Sequence, residues 1–208
     1  MPCSPRGPNN SVAHITTTAE LKAHRQSYAA LANSFDPVDF DPQSMAKLAK
    51  AAGFQYLIYT TVHCDGFINW PSNLTNYNIK NTPHGKKGRG TFSELVKAFR
   101  AEGLKVGAYV CPSMWNNDTY WAPDALTSTG PVCRPNYLPA SKPATWSQFT
   151  SFLHGLVREL VTLYQPDTFW FDCSNSPPNT DTHLEAVIDT IRSGNPDAVI
   201  NIRGGMWS

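Results

Sequence analysis

The chain has 208 residues, 41% hydrophobic and 16% charged, which suits one globular domain and excludes a disordered, collagen-like or coiled-coil polypeptide. Seventeen basic and sixteen acidic side chains leave a net charge of +1, so nothing draws the protein electrostatically to nucleic acid or anionic lipid. No window reaches the roughly 20 apolar residues of a membrane-spanning helix, and the first thirty residues lack the apolar core of a signal peptide.

Residues 1–33 are expected to be flexible or weakly structured, with the folded domain running from 34 to 208; Met1-Pro2-Cys3-Ser4-Pro5-Arg6-Gly7-Pro8 is Pro-rich. Asp41-Pro42-Gln43-Ser44 supplies a helix N-cap with Pro in the first turn, followed at helical spacing by Met45, Leu48, Ala49 and Ala52, and Gly53 closes the helix. Phe54 to Val62, rich in aromatic and β-branched residues, reads as a strand buried on both faces. The loop His63-Cys64-Asp65-Gly66-Phe67-Ile68-Asn69-Trp70 follows at once, with Asp65-Gly66 as a sharp turn.

Thr91-Phe92-Ser93-Glu94 reads as a capping box opening a helix that Gly103 ends, and Lys105 to Val110 as the second strand. The basic cluster Lys86-Lys87-Gly88-Arg89 reads as a solvated loop rather than a phosphate site. Thr145-Trp146-Ser147-Gln148 caps a long amphipathic helix, Asp167 to Phe171 is the third strand, Thr182 to Arg192 a helix and Ala198 to Ile202 the fourth strand.

Helix, strand and loop thus repeat four times, which requires a parallel α/β sheet. The long loops all follow strands, as in a (β/α) TIM-type barrel enzyme, and no Gly-rich phosphate turn follows any strand. Four strands are half of the eight that close such a barrel, so the expected fold is an incomplete one.

Asp172 ends the aromatic strand Thr168-Phe169-Trp170-Phe171 and is placed to attack an electrophilic carbon; the alternative is a turn carboxylate bonded to nearby amides. Trp170, two residues earlier, points to the same side, and an aromatic ring beside a carboxylate favours a sugar site. His63 suits a hydroxyl ligand or a structural histidine. Trp70 suits a pocket wall or a loop anchor, and Arg203 an ionic partner of Asp172 or a surface salt bridge. The five cysteines form no C-x-x-C pair. Cys64, Cys111 and Cys173 each fall at or just beyond a strand end and read as packing residues, with one disulfide as the alternative in an exported protein.

Phe35-Asp36-Pro37, the segment His63 to Tyr77, Gly103 to Tyr109, Tyr164-Gln165-Pro166-Asp167, Trp170-Phe171-Asp172 and Asn201-Ile202-Arg203, in unbroken order, resemble the catalytic domain of α-L-fucosidases, glycoside hydrolase family 29. The resemblance implies a retaining enzyme removing terminal α-L-fucose from fucosylated glycans, with no cofactor and no metal. It implies Asp172 as nucleophile, His63 as a fucose-hydroxyl ligand, Trp170 as a wall of the pocket, Arg203 beside the nucleophile, and a secreted or lysosomal location; Trp70 and Tyr109 are further candidate substrate-binding residues. Retaining hydrolysis also needs a second carboxyl group roughly 5 Å from the first.

Several positions depart from that pattern. Val62 and Cys64 stand where the family motif has a lysine and a second histidine, Cys173 where a glycine usually follows the nucleophile, and Tyr109-Val110-Cys111 where Tyr-Tyr-Ser is common. By this comparison the chain would hold strands two to five only, and Glu185, within a helix, is a poor substitute for the acid/base glutamate. Two other readings follow: a catalytically degenerate carbohydrate-binding homologue, and an unrelated α/β enzyme with a catalytic cysteine.

Overall fold

Four parallel strands, β1 (Tyr56–Val62), β2 (Lys105–Val110), β3 (Thr168–Phe171) and β4 (Val199–Ile202), lie side by side in chain order in a computed structural model that describes residues 17–123, 135–172 and 184–202. Among the described residues six helices accompany them: α1 (Thr18–Ala30), α2 (Pro42–Ala51), the single turn α3 (Pro83–Lys86), α4 (Thr91–Ala101), α5 (Pro143–Tyr164) and α6 (Leu184–Gly194). The α/β alternation expected from the sequence is therefore the observed fold, four consecutive helix–strand units of the (β/α) barrel class.

Register sets the level at which each strand ends. Val62 pairs with Val110, Val110 with Phe171 and Phe171 with Ile202, so all four carboxyl ends form one row. Whatever follows those residues emerges on the same rim, where parallel α/β proteins gather their reactive groups.

One sheet face builds the core. Val106, Ala108, Val110, Phe169 and Phe171 are fully buried, and α4 contributes Phe92, Leu95 and Phe99 while α5 contributes Phe149, Leu153, Leu156 and Leu160. The opposite face carries Tyr56 and Val199, 60% and 62% exposed, with Trp170 half-buried. Tyr56, Ile58, Thr168, Trp170, Val199 and Asn201 border an open cavity of about 580 Å³ on that side.

The helix ends explain how the strands are launched. After α2, Gly53 N–H bonds Lys50 O and Phe54 N–H bonds Ala49 O; after α4, Gly103 N–H bonds Arg100 O and Leu104 N–H bonds Phe99 O. Both are Schellman closures that need a left-handed residue, and Gly53 (φ +82°) and Gly103 (φ +71°) supply it. Each turn feeds the chain directly into β1 or β2.

Five sequence expectations require correction. Residues Thr18–Ala30, inside the segment read as weakly structured, form α1, opened by a capping box between Thr17 and Glu20. Its low amphipathicity hid it: only Leu21 and Arg25 are buried. β1 begins at Tyr56 rather than Phe54, and only Thr61 and Val62 are buried, Tyr56 and Thr60 being exposed and Leu57 to Tyr59 half-buried, because it is a sheet edge with no neighbour on one side among the described strands. Helix α4 is capped by Gly90, whose N–H bonds Glu94 Oε1 at 2.9 Å, so Thr91 lies inside the helix instead of capping it. Helix α5 starts three residues earlier than expected, at Pro143 with Lys142 rather than Thr145 at the N-cap position, and has no side-chain cap. In α2 the buried residues are Pro42, Ala46 and Ala49, whereas Met45 and Leu48 are exposed.

Candidate active site

Asp172 follows Phe171 and extends the ladder, its N–H bonding Val110 O at 3.1 Å. That bond holds the half-buried carboxylate at the carboxyl rim of the sheet. From the neighbouring strand, Tyr109 Oη donates to Asp172 Oδ2 at 2.9 Å. Tyr109 pairs in register with Trp170, so its side chain stands on the same face as Trp170 and Asp172. The sequence reading grouped Tyr109 with the substrate pocket; its phenol also orients the carboxylate.

His63 reaches this pair by way of a bulge. Thr60 pairs with Tyr109 and Val62 with Val110, leaving Thr61 as the extra residue, and Thr61 Oγ1 donates to Tyr109 O at 2.7 Å. The bulge turns Val62 into the core and places the His63 ring parallel to that of Tyr109, with centroids 5.5 Å apart and planes 5° apart. His63 Nδ1 is buried and has no hydrogen-bond partner among the described residues. Asp172, Tyr109 and His63 thus form one contiguous line across β3, β2 and the end of β1.

Trp170 is half-buried on the cavity side of β3, as its alternation with Phe169 and Phe171 requires. Trp70 is not a pocket wall. It is fully buried, and its indole N–H bonds Glu159 Oε2 on α5 at 2.9 Å, while Asn73 N–H bonds Glu159 Oε1 at 2.9 Å. Glu159 pins the loop after β1 through both oxygens, which leaves no ring face for a ligand. Arg203 lies outside the described residues, as does Cys173. Glu185 is exposed in the first turn of α6, on a helix rather than at a strand end.

Asp65 organises the turn as expected, beside Gly66 (φ +77°), whose N–H bonds His63 O at 2.8 Å. Burial holds its carboxyl above the ordinary aspartate value, against the opposing pull of backbone N–H groups and His63. It lines a cavity of about 240 Å³ with His63, Tyr28, Phe35 and Tyr77. Burial and the nearby Asp65 carboxylate raise the Tyr77 phenol far above its usual value.

The helix α1 walls this cavity. Tyr28 packs edge-on against Trp115 at 5.0 Å, and Arg25 pairs with Asp118 at 2.7 Å, tying α1 to the loop after β2. Only the Thr17-x-x-Glu20 spacing signals this helix in the sequence.

The basic cluster before α4 is more than a solvated loop: Lys87 pairs with Asp36, and Arg89 bonds Glu94 Oε2 at 2.7 Å and Phe40 O at 3.1 Å. Among the described residues no group of three or more His, Cys, Asp or Glu is arranged to hold a metal, and no helix is long and apolar enough to cross a membrane.

A family model for α-L-fucosidase matches residues 8–206. The chain belongs to the α-L-fucosidase family. The tissue α-L-fucosidase of Bos taurus is 29% identical over 188 residues, covering 86% of this chain and 35% of that protein. A putative α-L-fucosidase 1 of Oryza sativa is 40% identical over 78 residues, covering 38% of this chain and 15% of that protein. Among solved structures, a glycoside hydrolase family 29 α-L-fucosidase of Bacteroides thetaiotaomicron superposes with a TM-score of 0.72 at 28% identity, covering 88% of this chain and 38% of that one. The chain therefore spans about 35% of the length of the bovine relative.

Proposed function

We propose that this chain carries the nucleophile side of a fucose pocket and acts in retaining hydrolysis of terminal α-L-fucosides, with Asp172 as nucleophile. The observation that carries the reading is the Tyr109 Oη to Asp172 Oδ2 bond at the rim of the sheet, with His63 stacked on the same tyrosine. The phenol steers the Asp172 carboxylate, which attacks the anomeric carbon and forms a glycosyl ester as the aglycone departs. Water then cleaves the ester. The aglycone oxygen needs a proton from a second carboxyl group about 5 Å away, and exposed Glu185 on α6 does not meet that description.

In this reading His63 bonds a fucose hydroxyl, Trp170 borders the sugar and Arg203 steadies the ionised Asp172. Two solved relatives support the chemistry: one was captured as a covalent intermediate with 2-fluoro-fucosyl fluoride, and AlfC was solved with Fucα(1,6)GlcNAc. Fucosylated glycans are accordingly the substrate class.

The second reading, a sugar-binding homologue without turnover, is favoured by Cys64. Where the family motif has a second histidine, this side chain is fully buried against Cys111 and offers no hydroxyl ligand.

The deciding experiment treats the purified chain and its Asp172→Asn variant with an aryl α-L-fucoside and with 2-fluoro-fucosyl fluoride, followed by peptide mass mapping. A fucosyl adduct on Asp172, lost in the variant, is expected, because a fluoride leaving group needs no proton from a second carboxyl group. A cooperatively folded chain that binds fucose but forms no adduct sinks the nucleophile assignment and leaves the binding reading.

A further inference from the structure

Cys64 and Cys111 belong to different strand ends, and their meeting follows from the register. Val62 and Val110 are paired, Cys111 N–H bonds Val62 O at 3.1 Å, and Trp115 N–H returns to bond Cys64 O at 2.9 Å. These bonds bracket the two cysteines and bring their sulfurs to 2.9 Å. The two thiols are in direct contact and are not joined in this structure. Both residues are fully buried, and Cys111 Sγ has a further contact to Ser113 O at 3.4 Å. Two of the chain's departures from the family pattern, at positions 64 and 111, coincide in this one contact.

We propose that Cys64 and Cys111 are an oxidative modification site, joined as a disulfide that staples the loop after β1 to the end of β2. The oxidant is a disulfide of the glutathione class or a thiol–disulfide oxidoreductase. A thiolate of one cysteine attacks the oxidant's S–S bond and releases one reduced thiol; the second cysteine then attacks the mixed disulfide and releases the other. Two electrons leave the protein sulfurs, and the two cysteine protons end on the two released thiols. The buried pair reacts as the chain folds, before the core closes over it, and the folded geometry then holds the sulfurs at a high effective concentration.

The consequence is mechanical as well as covalent. The link closes a loop across a sequence separation of 47 residues, long enough for a sizeable restriction of the unfolded chain. It also fastens the residue after His63 to the residue two beyond Tyr109, holding the stacked pair in register. The proposal does not depend on the chain being an active glycosidase.

The test unfolds the purified chain under reducing conditions, refolds it in an oxidised glutathione buffer, then quenches, alkylates under denaturing conditions without reductant, and maps the peptides. A Cys64 peptide linked to a Cys111 peptide is expected, together with a melting temperature about 5–10 °C above that of the reduced chain. In Cys64→Ser, Cys111 becomes fully alkylable; if that variant does not fold, the wild-type map alone decides. Full alkylation of both cysteines in the oxidised wild type, or linkage of either to Cys3, Cys133 or Cys173 instead, overturns the proposal.

Discussion

Tyr109 donates its phenolic hydrogen to Oδ2 of Asp172 at 2.9 Å, from the strand beside the one that Asp172 ends. A hydrogen bond to a charged group contributes about 1.5–3 kcal/mol. Tyr109→Phe keeps the ring that stacks on His63 and removes only this bond. It is expected to slow fucosyl-adduct formation on Asp172 by about 10- to 100-fold while lowering the melting temperature by only about 3–10 °C, so that the variant remains folded. Adduct formation within twofold of wild type would show that Tyr109 does not orient the carboxylate.

Trp70 and Glu159 behave as a loop anchor. Trp70→Ala is expected to destabilise the fold by about 3–5 kcal/mol, because the side chain is fully buried and its departure also strands the Glu159 carboxylate. Trp70→Phe retains most of the packing and loses the indole N–H, so a smaller loss is expected, with fucose affinity unchanged. Chemical denaturation alongside a fucose titration separates the anchor from a sugar wall: lost affinity in a stably folded Trp70→Phe would restore the wall.

Gly103 tests the Schellman closure of α4. Its φ is +71° and a Cβ added there meets nothing within 4 Å, so the cost of Gly103→Ala is conformational alone. A loss of about 1–2 kcal/mol is expected, with Gly103→Asn milder because Asn tolerates the left-handed region. A melting temperature unchanged in Gly103→Ala would mean that the turn relaxes.

Acid stability should follow Glu94 and Asp167. Burial alone would raise both carboxyls, but Arg89 and the Gly90 N–H outweigh it at Glu94, and Lys105, the Val106 N–H and Arg100 outweigh it at Asp167, so both sit below their ordinary values. Their contribution is fully present above the unfolded carboxylate value of about 4 and is lost as pH falls through the depressed folded values. Asp65 has the opposite sign. Its raised value gives a contribution present below about 4 and lost as pH rises through the folded value. Melting temperatures measured between pH 2 and 7 should fall on the acid side, less steeply in Glu94→Gln. Asp65→Asn should gain most, relative to wild type, near neutrality. Parallel curves for all three proteins would refute both assignments.

Much was legible in the sequence because it is written in local chemistry. The Asp41-Pro42 cap, the glycines that end α2 and α4, the four apolar strands and the strand-end position of Asp172 each depend on residues a few positions apart. The family could be recognised for the same reason: its motifs are short segments at strand ends. Helix α1 was obscured because its contacts, Tyr28 to Trp115 and Arg25 to Asp118, are remote in the chain, and only a capping box marks its start.

What the chain alone determined, then, is the succession of parallel strands, the family, and which carboxylate stands at a strand's end, since periodicity and caps act over a turn or two. Tertiary structure decided the partners. Whether Trp70 met a sugar or Glu159, whether Tyr109 touched Asp172, and which cysteine faced which depended on strand register, on the bulge at Thr61 and on the placement of α5. These are contacts between segments tens of residues apart, and no local pattern encodes them, because they exist only once the hydrogen bonds of the sheet have aligned one strand against the next.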